Sequence, residues 1–220
     1  KALTVEKKIV SKDRSTNKYL FKTFDGFGIE TVELISPDKT TLCISSQFGC
    51  PLRCSFCATG YSGFRRNLKV SEILAQFLFF KKDITNVVFM GMGEPLLNYG
   101  NVMKAIRILN SPDCVNFGAR RITISTSGLP DKIRKLGSEG LEFNLSISLN
   151  ATNDKTRNIL MPINRKYNIE ELLRAAKNYI QKTNRRITFE YLLIKEVNDT
   201  IKDSKDLAML LNDILCHVNL

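Results

Sequence analysis

The sequence predicts a parallel α/β fold, either an open doubly wound sheet or a partial barrel, with a β-hairpin attached at its N-terminus. From residue 40 onward, short runs rich in Ile, Val, Phe and Thr alternate with longer segments whose apolar residues recur at helical spacing. No apolar run approaches the roughly 18 to 20 residues that a membrane span requires, and no signal region opens the chain. We therefore expect a globular cytoplasmic protein with no membrane partner.

Six runs are predicted to be buried strands, because each is almost continuously apolar, as strands of a parallel sheet are. They are residues 40–46, 84–91, 120–126, 142–149, 185–194 and 216–220. Five predicted helices lie between them and begin at Ser71, Asn101, Pro130, Asn168 and Asp203. The first of these helices is predicted to reach Lys82. Reactive groups of parallel α/β folds gather at the carboxyl ends of the strands, so a site is expected in the loops that follow them.

The segment before residue 40 has a different character. Two β-type runs, "KYLFKTF" and "GIETVELI", flank the turn sequence "DGFG", which predicts a hairpin appended to the main domain. We therefore divide the chain into a hairpin extension, residues 1–38, and a main domain, residues 39–220. The chain does not begin with Met and stops inside a strand-like run, so both ends are expected to be boundaries within a longer protein.

The charge of the chain favours a polyanionic partner. The sequence has 33 Lys and Arg residues against 22 Asp and Glu, a formal net charge of +11. No basic amphipathic helix stands out, so nucleic acid is favoured over a membrane surface; charge that serves solubility alone is the alternative. Six cysteines are too few for a disulfide scaffold in a chain of this length without a secretory signal.

Three of the six cysteines lie within eight residues, directly after the first strand of the main domain: Cys50, Cys54 and Cys57. A closed structural zinc site needs four ligands. The only histidine, His217, is distant in sequence, although Cys43 or Cys216 could supply a fourth sulfur. A 4Fe-4S cluster held by three thiolates instead leaves one iron with an open coordination position for a substrate. The spacing C-x3-C-x2-C therefore indicates a metal site in which the missing ligand has a chemical use.

A glycine turn, "FMGMGEPLLN", follows the next strand. Gly91 and Gly93 allow close approach of the backbone, Glu94 supplies an anion, and Pro95 stiffens the exit. Such turns are common and, taken alone, indicate only a change of direction. One strand after the cysteines, however, this turn indicates a carboxylate that meets the ammonium group of a small cofactor.

The cysteine spacing, with aromatic Phe56 before the last cysteine, and the Gly-Glu-Pro turn resemble the radical S-adenosylmethionine (SAM) superfamily. Longer blocks, among them "TLCISSQFGCPLRCSFCATGYSGFRRNLKVSEI", "NVVFMGMGEPLLN" and "SISLNATND", are similar in order and spacing to the RlmN/Cfr family of adenine methyltransferases. The resemblance extends from about Glu30 to Leu220. It implies a partial (βα)6 barrel of the radical SAM type, with a 4Fe-4S cluster and SAM as cofactors.

Position by position, the resemblance assigns roles to single residues. It makes Cys50, Cys54 and Cys57 the cluster ligands. It places SAM contacts at Phe56, Gly93, Glu94, Ser125, Ser148, Leu149 and Asn150. The family usually has His at the last of these positions. Glu30 matches a carboxylate assigned as proton acceptor, and Cys43 matches a second catalytic cysteine. Without the resemblance, Glu30 would be interpreted as a hairpin carboxylate and Cys43 as a thiol of a buried strand.

The function that the resemblance implies is methylation of carbon 2 of an adenosine in 23S ribosomal RNA and in tRNA. It further implies a monomer and an electron donor such as a flavodoxin. In the family the methyl group passes through a cysteine near the C-terminus, and neither Cys114 nor Cys216 matches that position. The chain is therefore expected to bind the cluster and SAM without completing RNA methylation.

Three alternatives stay open at this point. The carbon-8 enzymes of the same family confer antibiotic resistance on the ribosome, although "GMGEPL" fits the carbon-2 enzymes better. A radical SAM enzyme that acts on a small molecule or a protein is the second. A zinc-stabilised, non-catalytic RNA-binding module is the third; it would explain the cysteines and the charge but not the glycine turn.

Two groups of basic residues are predicted to contact RNA phosphates, because both follow strands and so lie at the end of the fold that carries the cysteine loop. They are Arg65, Arg66 and Lys69 in the first group and Arg165 and Lys166 in the second. Two further basic pairs lead into strands and are expected at the opposite end. A target base has to leave its stack to react, so the expected substrate is single-stranded or looped RNA.

Overall fold

The structure, a computed structural model, describes residues 2–80 and 84–220. The chain forms two compact units. The first comprises Lys1–Pro51 and Ser62–Ile124, and the second comprises Leu52–Tyr61 and Ser125–Leu220. The short segment 52–61, which carries two of the three clustered cysteines, thus belongs to a different unit from the residues on either side of it.

The strands of the first unit fall into an antiparallel part and a parallel part. In chain order they are β1 (Leu3–Val10), β2 (Thr16–Thr23), β3 (Gly28–Ser36), β4 (Lys39–Cys43), β5 (Gln47–Gly49), β6 (Phe64–Asn67), β7 (Asn86–Phe89) and β8 (Ile122–Thr126). Strands β1 to β4 pair antiparallel in chain order, whereas β4 pairs parallel with β7, and β7 with β8. Strands β5 and β6 form a separate antiparallel ribbon.

The predicted hairpin before residue 40 is confirmed as β2 and β3, but the structure adds β1 at its edge. The sequence predicted no strand there because the β1 side chains are mostly exposed and alternate weakly between polar and apolar. The ribbon of β5 and β6 was also missed. It is three to four residues long on each side, which is too short for a periodic pattern to show.

The helices of both units are α1 (Ala58–Tyr61), α2 (Val70–Phe80), α3 (Tyr99–Asn110), α4 (Pro130–Leu136), α5 (Asp154–Leu160), α6 (Ile169–Thr183) and α7 (Ile201–Leu211). The five predicted helices are confirmed as α2, α3, α4, α6 and α7, and the Asn168 side chain caps α6 by accepting from Glu171 N. The predicted end of the first helix, Lys81 and Lys82, lies outside the described residues. Helix α5 lies between the predicted strand 142–149 and the helix that begins at Asn168, where the sequence predicted no helix.

The second unit contains three parallel strands, β9 (Asn144–Ser148), β10 (Ile187–Glu190) and β11 (Cys216–Asn219), and β10 pairs with both of the others. The predicted strand 185–194 stops at Glu190. Tyr191 N still donates to Asn219 O of β11, but beyond it the backbone bonds to side chains: Leu192 N donates to Asn150 Oδ1, and Ile194 N donates to Asn198 Oδ1.

These elements confirm the predicted mixed α/β fold with parallel strands. The core of the first unit contains fully buried apolar residues from its strands, among them Ile29, Leu42 and Val87. The core of the second unit contains buried apolar residues of its own strands, among them Leu145, Ile147 and Phe189. In the part of the chain that the structure describes, no helix is long and apolar enough to cross a membrane.

Candidate active site

The first clustered cysteine emerges from the tight ribbon of β5 and β6. Gly49 immediately precedes it and has a φ of +74°, and a Cβ at Gly49 would lie 1.6 Å from the carbonyl oxygen of Gly63. Only glycine fits a backbone approach this close. Cys50 N then donates to the same Gly63 oxygen at 3.2 Å. The ribbon therefore fixes the backbone from which the half-buried Cys50 side chain projects.

The other two cysteines lie in the second unit and share one turn of the backbone. Cys57 N donates to Cys54 O at 3.0 Å, and helix α1 begins directly after Cys57. Cys54 is buried against Leu160 and Met161, and Ser55 N donates to Leu160 O at 2.9 Å. Phe56, the predicted aromatic neighbour of SAM, lies between these cysteines and is partly exposed. The end of helix α5 therefore positions the turn that carries the two thiols.

The chemistry of these donors fits an iron-sulfur cluster. None of the six cysteines is in a disulfide, and thiolates are the ligands that such clusters take. Among residues 2–80 and 84–220, no three His, Cys, Asp or Glu side chains converge as a ready-made metal site. The assignment of the three clustered cysteines as cluster ligands therefore stays a prediction from their spacing.

The glycine turn of the first unit packs directly on the segment that leads into the cysteine motif. A Cβ at Gly91 would lie 2.7 Å from the carbonyl carbon of Ile44. A Cβ at Gly93, whose φ is +98°, would lie 2.4 Å from Gln47 Cβ. Both contacts are shorter than van der Waals contact allows, so this turn accepts no side chain at either position. The glycines predicted from the sequence thus serve the close approach of two chain segments.

Side-chain amides and a hydroxyl hold the glycine turn in place. Gln47 Oε1 accepts from Glu94 N at 2.8 Å, and Gln47 Nε2 donates to Asn67 Oδ1 at 2.8 Å. Ser45 Oγ accepts from Met92 N at 2.9 Å and donates to Glu30 O at 2.6 Å. Both polar side chains are buried, so they satisfy backbone groups that water does not reach. Sequence analysis did not identify Ser45 or Gln47.

Glu94 has a structural role in addition to the predicted contact with SAM. Its side chain is only 2% exposed, and its Oε1 accepts from Leu96 N at 3.0 Å. It thereby caps the 3-10 helix Pro95–Asn98. A carboxylate that accepts a backbone N–H is held in one orientation. The contact that Glu94 is predicted to make with an ammonium group remains a proposal.

In the second unit, buried Arg157 of α5 holds the carboxyl ends of two strands. Its Nη2 donates to Ser127 O at 2.7 Å and to Ser148 O at 2.9 Å, and its Nε donates to Leu149 O at 3.0 Å. Its Nη1 donates to Asn164 Oδ1 at 2.9 Å. Burial lowers the pKa of Arg157 to about 10, and nearby Cys54 and Asp154 act in the opposite direction. Arg157 therefore fixes the backbone of Ser148 and Leu149, two of the predicted SAM contacts.

Sequence analysis missed Arg157 because an arginine in the polar stretch "NDKTRNIL" is ordinarily a surface residue. One signal could have indicated its burial. Arg157 lies three residues before Leu160 and so shares a helix face with it, and these two are the buried residues of α5.

The predicted SAM contacts of the second unit differ in what they still offer to a ligand. Ser125 and Ser148 are half-buried at strand ends. Leu149 is fully buried, its N–H donates to Glu190 O, and its carbonyl accepts from Arg157. Asn150, with a φ of +57°, accepts from Leu192 N through Oδ1 and donates through Nδ2 to the Met161 sulfur.

Asn150 therefore has a structural role where the family usually has His. Its side chain connects the ends of β9 and β10 to the segment after α5. Its carbonyl also accepts from Asn198 Nδ2 at 2.8 Å. Asn tolerates the left-handed backbone conformation of this position better than most residues.

Glu30 and Cys43 lie on neighbouring strands of the first unit. The antiparallel register pairs Val32 with Cys43, so Glu30, two residues from Val32, is on the same face as Cys43. Burial raises the pKa of Cys43 to about 11, an effect opposed by a hydrogen bond with the Met90 backbone. Glu30 is partly exposed, and its Oε1 lies 2.6 Å from Lys18 Nζ. The structure thus places the two predicted catalytic residues on one face of the β3–β4 pair.

The predicted phosphate contacts also differ from one another. Arg65, Lys69, Arg165 and Lys166 are exposed. Arg66 is not available in the same way, because its guanidinium donates five hydrogen bonds, to Asp25, Glu72 and Asn67 O. A guanidinium has five N–H donors. This geometry argues against the phosphate contact predicted for Arg66 and indicates a structural role instead.

Comparisons with known proteins show which family this chain is similar to. The family model described as Radical SAM superfamily matches residues 44–208. Two proteins named probable dual-specificity RNA methyltransferase RlmN are similar. That of Pseudothermotoga lettingae is 51% identical over 98% of this chain and 64% of its own length. That of Thermotoga maritima is 53% identical over 97% of this chain and 63% of its own length. The chain thus spans a little under two thirds of these relatives.

Two solved structures extend the comparison. A radical SAM methyltransferase from Sphaerobacter thermophilus has a TM-score of 0.96 and 47% sequence identity, and the match covers 100% of this chain and 66% of that one. Streptococcus suis SuiB has a TM-score of 0.56 at 15% identity, over 76% of this chain and 35% of its own. The second likeness concerns the fold alone.

Proposed function

The chain belongs to the radical SAM superfamily, and on that premise we propose that it is part of an RNA methyltransferase that modifies carbon 2 of an adenosine. Superfamily membership implies a 4Fe-4S cluster and SAM as cofactors. The observation that carries the proposal is the sequence identity of about one half, across both units, to proteins named dual-specificity RNA methyltransferase. We propose 23S ribosomal RNA and tRNA as its substrates.

Cys50, Cys54 and Cys57 are the proposed cluster ligands. When bound, the cluster and SAM supply an electron and a radical able to take hydrogen from a methyl group, chemistry that amino-acid side chains do not provide. The chain contributes the binding surface. Glu94 is proposed to accept from the amino group of SAM, at the end of the turn in which Gly93 packs on Gln47. Ser125, Ser148 and Asn150 are proposed to contact the remainder of SAM, while Leu149 offers it only packing.

Glu30 is proposed to accept the proton that the RNA adduct loses, and Cys43 is proposed as the second catalytic cysteine, which acts in release of the methylated base. Because burial raises the pKa of Cys43 to about 11, its sulfur carries a proton at neutral pH. Glu30 is proposed to accept a proton from the adenine ring, with Lys18 holding the carboxylate in place. The face that the two residues share on β3 and β4 supports their acting on one substrate.

The remaining exposed cations are proposed to bind the RNA backbone. Arg65, Lys69, Arg165 and Lys166 are the proposed phosphate contacts, consistent with the net charge of +11. A flavodoxin-like protein is proposed as the electron donor, and the chain is proposed to act as a monomer. The phosphate contacts follow from the proposed RNA substrate, and the electron donor follows from the cluster. Each of these proposals can be tested by its own experiment.

The first experiment measures the cluster. The chain is reconstituted anaerobically, and iron and sulfide are determined together with the 5′-deoxyadenosine formed from SAM. We expect about four irons per chain for the wild type and their loss in Cys50→Ser, Cys54→Ser and Cys57→Ser. Cys114→Ser is the matched control, because Cys114 is an exposed thiol outside the motif.

Two results would change the proposal. Stoichiometric zinc without iron would favour the non-catalytic RNA-binding module. Methylation at carbon 8, found by mapping the RNA product, would reassign the chain to the other branch of the family. Methylation at carbon 2 is the expected result for the complete protein.

A further inference from the structure

The turn between β2 and β3 presents an aromatic side chain to solvent on a fixed backbone. Phe24 is 72% exposed. Thr23 N donates to Phe27 O at 2.8 Å, and Phe27 N donates to Thr23 Oγ1 at 3.1 Å. Gly26, with a φ of +85°, supplies the left-handed position of the turn. The turn residues 24–27 are therefore ordered by their own hydrogen bonds.

Arg66 attaches this turn to the ribbon that flanks the cysteine motif. Its Nε and Nη2 donate to the two carboxylate oxygens of Asp25 at 2.8 and 2.9 Å. Its Nη1 and Nη2 donate to Glu72 at 2.8 Å each. Bidentate pairs of this kind fix orientation as well as distance. The Phe27 ring also packs on Phe48 of β5, with centroids 4.6 Å apart.

A cation lies over the exposed ring. Lys69 Nζ is 4.7 Å from the centroid of the Phe24 ring, and Lys69 is itself exposed. A single exposed Phe is ordinary on a protein surface. A Phe on a turn that a bidentate arginine holds, with an exposed lysine next to it, is a combination with which proteins bind unpaired nucleotides: a face for base stacking and charge for the adjacent phosphate.

We propose that residues 24–27 form a stacking platform for an unpaired nucleotide of the RNA. Phe24 stacks on the base, Lys69 contacts the phosphate beside it, and Arg66 is a positioning residue that holds the platform. The choice of RNA as the partner rests on the proposed function and on the charge of these side chains. The carboxylates of Asp25 and Glu72 are both paired with Arg66, whereas the charged group recorded over the ring is the Lys69 ammonium.

Binding of a labelled RNA hairpin with an adenosine-rich unpaired loop, measured by fluorescence anisotropy, tests the platform. Stacking of a base on an aromatic side chain corresponds to about 5- to 150-fold in Kd. We expect Phe24→Leu, which keeps an apolar side chain without an aromatic face, to weaken binding within that range. Phe24→Trp should bind at least as tightly as the wild type. Equal affinity of wild type, Phe24→Leu and Phe24→Trp would overturn the platform.

The salt dependence of Kd separates phosphate contact from positioning. Lys69→Gln should lower the slope of log K against log salt by about 0.7, as expected for one phosphate contact on a single strand. Lys8→Gln is the matched control, because Lys8 also lies over an aromatic ring, that of Tyr19, in the same unit. Arg66→Lys keeps its charge but loses the bidentate geometry, so it should weaken binding with the slope unchanged. A lower slope for Arg66→Lys would contradict its positioning role.

The outcomes for the platform and for the proposed function are distinct. RNA binding that depends on Phe24, in a chain that forms no 5′-deoxyadenosine from SAM, would keep the platform and reject the enzyme. Formation of 5′-deoxyadenosine from SAM, together with RNA binding that does not change in the Phe24 variants, would keep the enzyme and reject the platform. A wild-type chain that does not bind the RNA hairpin would reject both. Melting followed by circular dichroism shows whether each variant keeps its fold.

Discussion

Two arginines, one in each unit, hold loops by different means. Arg66 in the first unit pairs with two carboxylates and keeps 24% of its side chain exposed. Arg157 in the second unit is fully buried, and its hydrogen bonds go to three backbone carbonyls and one side-chain amide oxygen. The first is an ion pair that solvent still reaches. The second is a buried cation that holds backbone.

The difference decides how much the fold depends on each residue. A partly exposed ion pair is screened by solvent, and its net contribution to stability is small. A buried cation satisfies acceptors that have no access to water, and its loss leaves those acceptors unpaired. Three carbonyls at strand ends of the second unit therefore share Arg157 as a donor, whereas the turn in the first unit also has its own hydrogen bonds.

The largest expected effect is that of Arg157→Met, which replaces the guanidinium with an apolar chain of similar length. Three carbonyls, those of Ser127, Ser148 and Leu149, lose their donor, so we expect the free energy of unfolding to fall by about 3 to 5 kcal/mol. Equilibrium unfolding in urea measures this difference in the free energy of unfolding between Arg157→Met and the wild type.

The matched control is Arg174→Met on α6. Arg174 is exposed in the same unit and pairs with Glu170 four residues earlier, so its loss should cost less than about 0.5 kcal/mol. Equal losses at the two positions would show that the bonds of Arg157 to the strand ends are not what stabilises the second unit.

Arg157 also shows where prediction from the sequence stops. The parallel strands could be predicted because a continuous apolar run indicates a buried strand. The cysteine motif and the glycine turn could be predicted because their residues are close together in the sequence. Arg157 and Gln47 could not, since a polar side chain becomes structural only through contacts made by the folded chain. The pairing of Arg66 could not be predicted for the same reason: its partner Asp25 is 41 residues away.

An intermediate effect is expected for Arg66→Met. Glu72, which is buried, keeps a hydrogen bond from Lys69 N at 2.8 Å when the guanidinium is removed. We therefore expect a loss of about 1 to 2 kcal/mol, with screening by solvent included. High salt should reduce the difference between Arg66→Met and wild type, while it leaves the effect of Arg157→Met unchanged. Arg134→Met, which removes an exposed pair with Asp131, is the control for a general effect of salt.

The smallest expected effect concerns pH and distinguishes the two arginines by their partners. The Arg66 guanidinium, helped by Thr23, lowers the pKa of Asp25 from 3.8 to about 2. As pH falls below about 4, the unfolded chain takes up this proton before the folded chain does, so stability declines until pH is near 2. Arg157 donates its hydrogen bonds to carbonyl and amide oxygens, which do not titrate in this pH range. We therefore expect these bonds to cause no decline of stability with falling pH.

Asp25→Asn tests this difference directly, because the amide removes the titration and keeps the shape of the turn. The urea midpoint of the wild type should fall more between pH 5 and pH 3 than that of Asp25→Asn, and Arg157→Met should fall as the wild type does. Asp131→Asn, an exposed carboxylate paired with Arg134, controls for the loss of one charge. If Asp25→Asn and Asp131→Asn reduce the fall of the urea midpoint between pH 5 and pH 3 equally, the bidentate contact with Arg66 is not the origin of the pH dependence. The two arginines would then differ only in their burial.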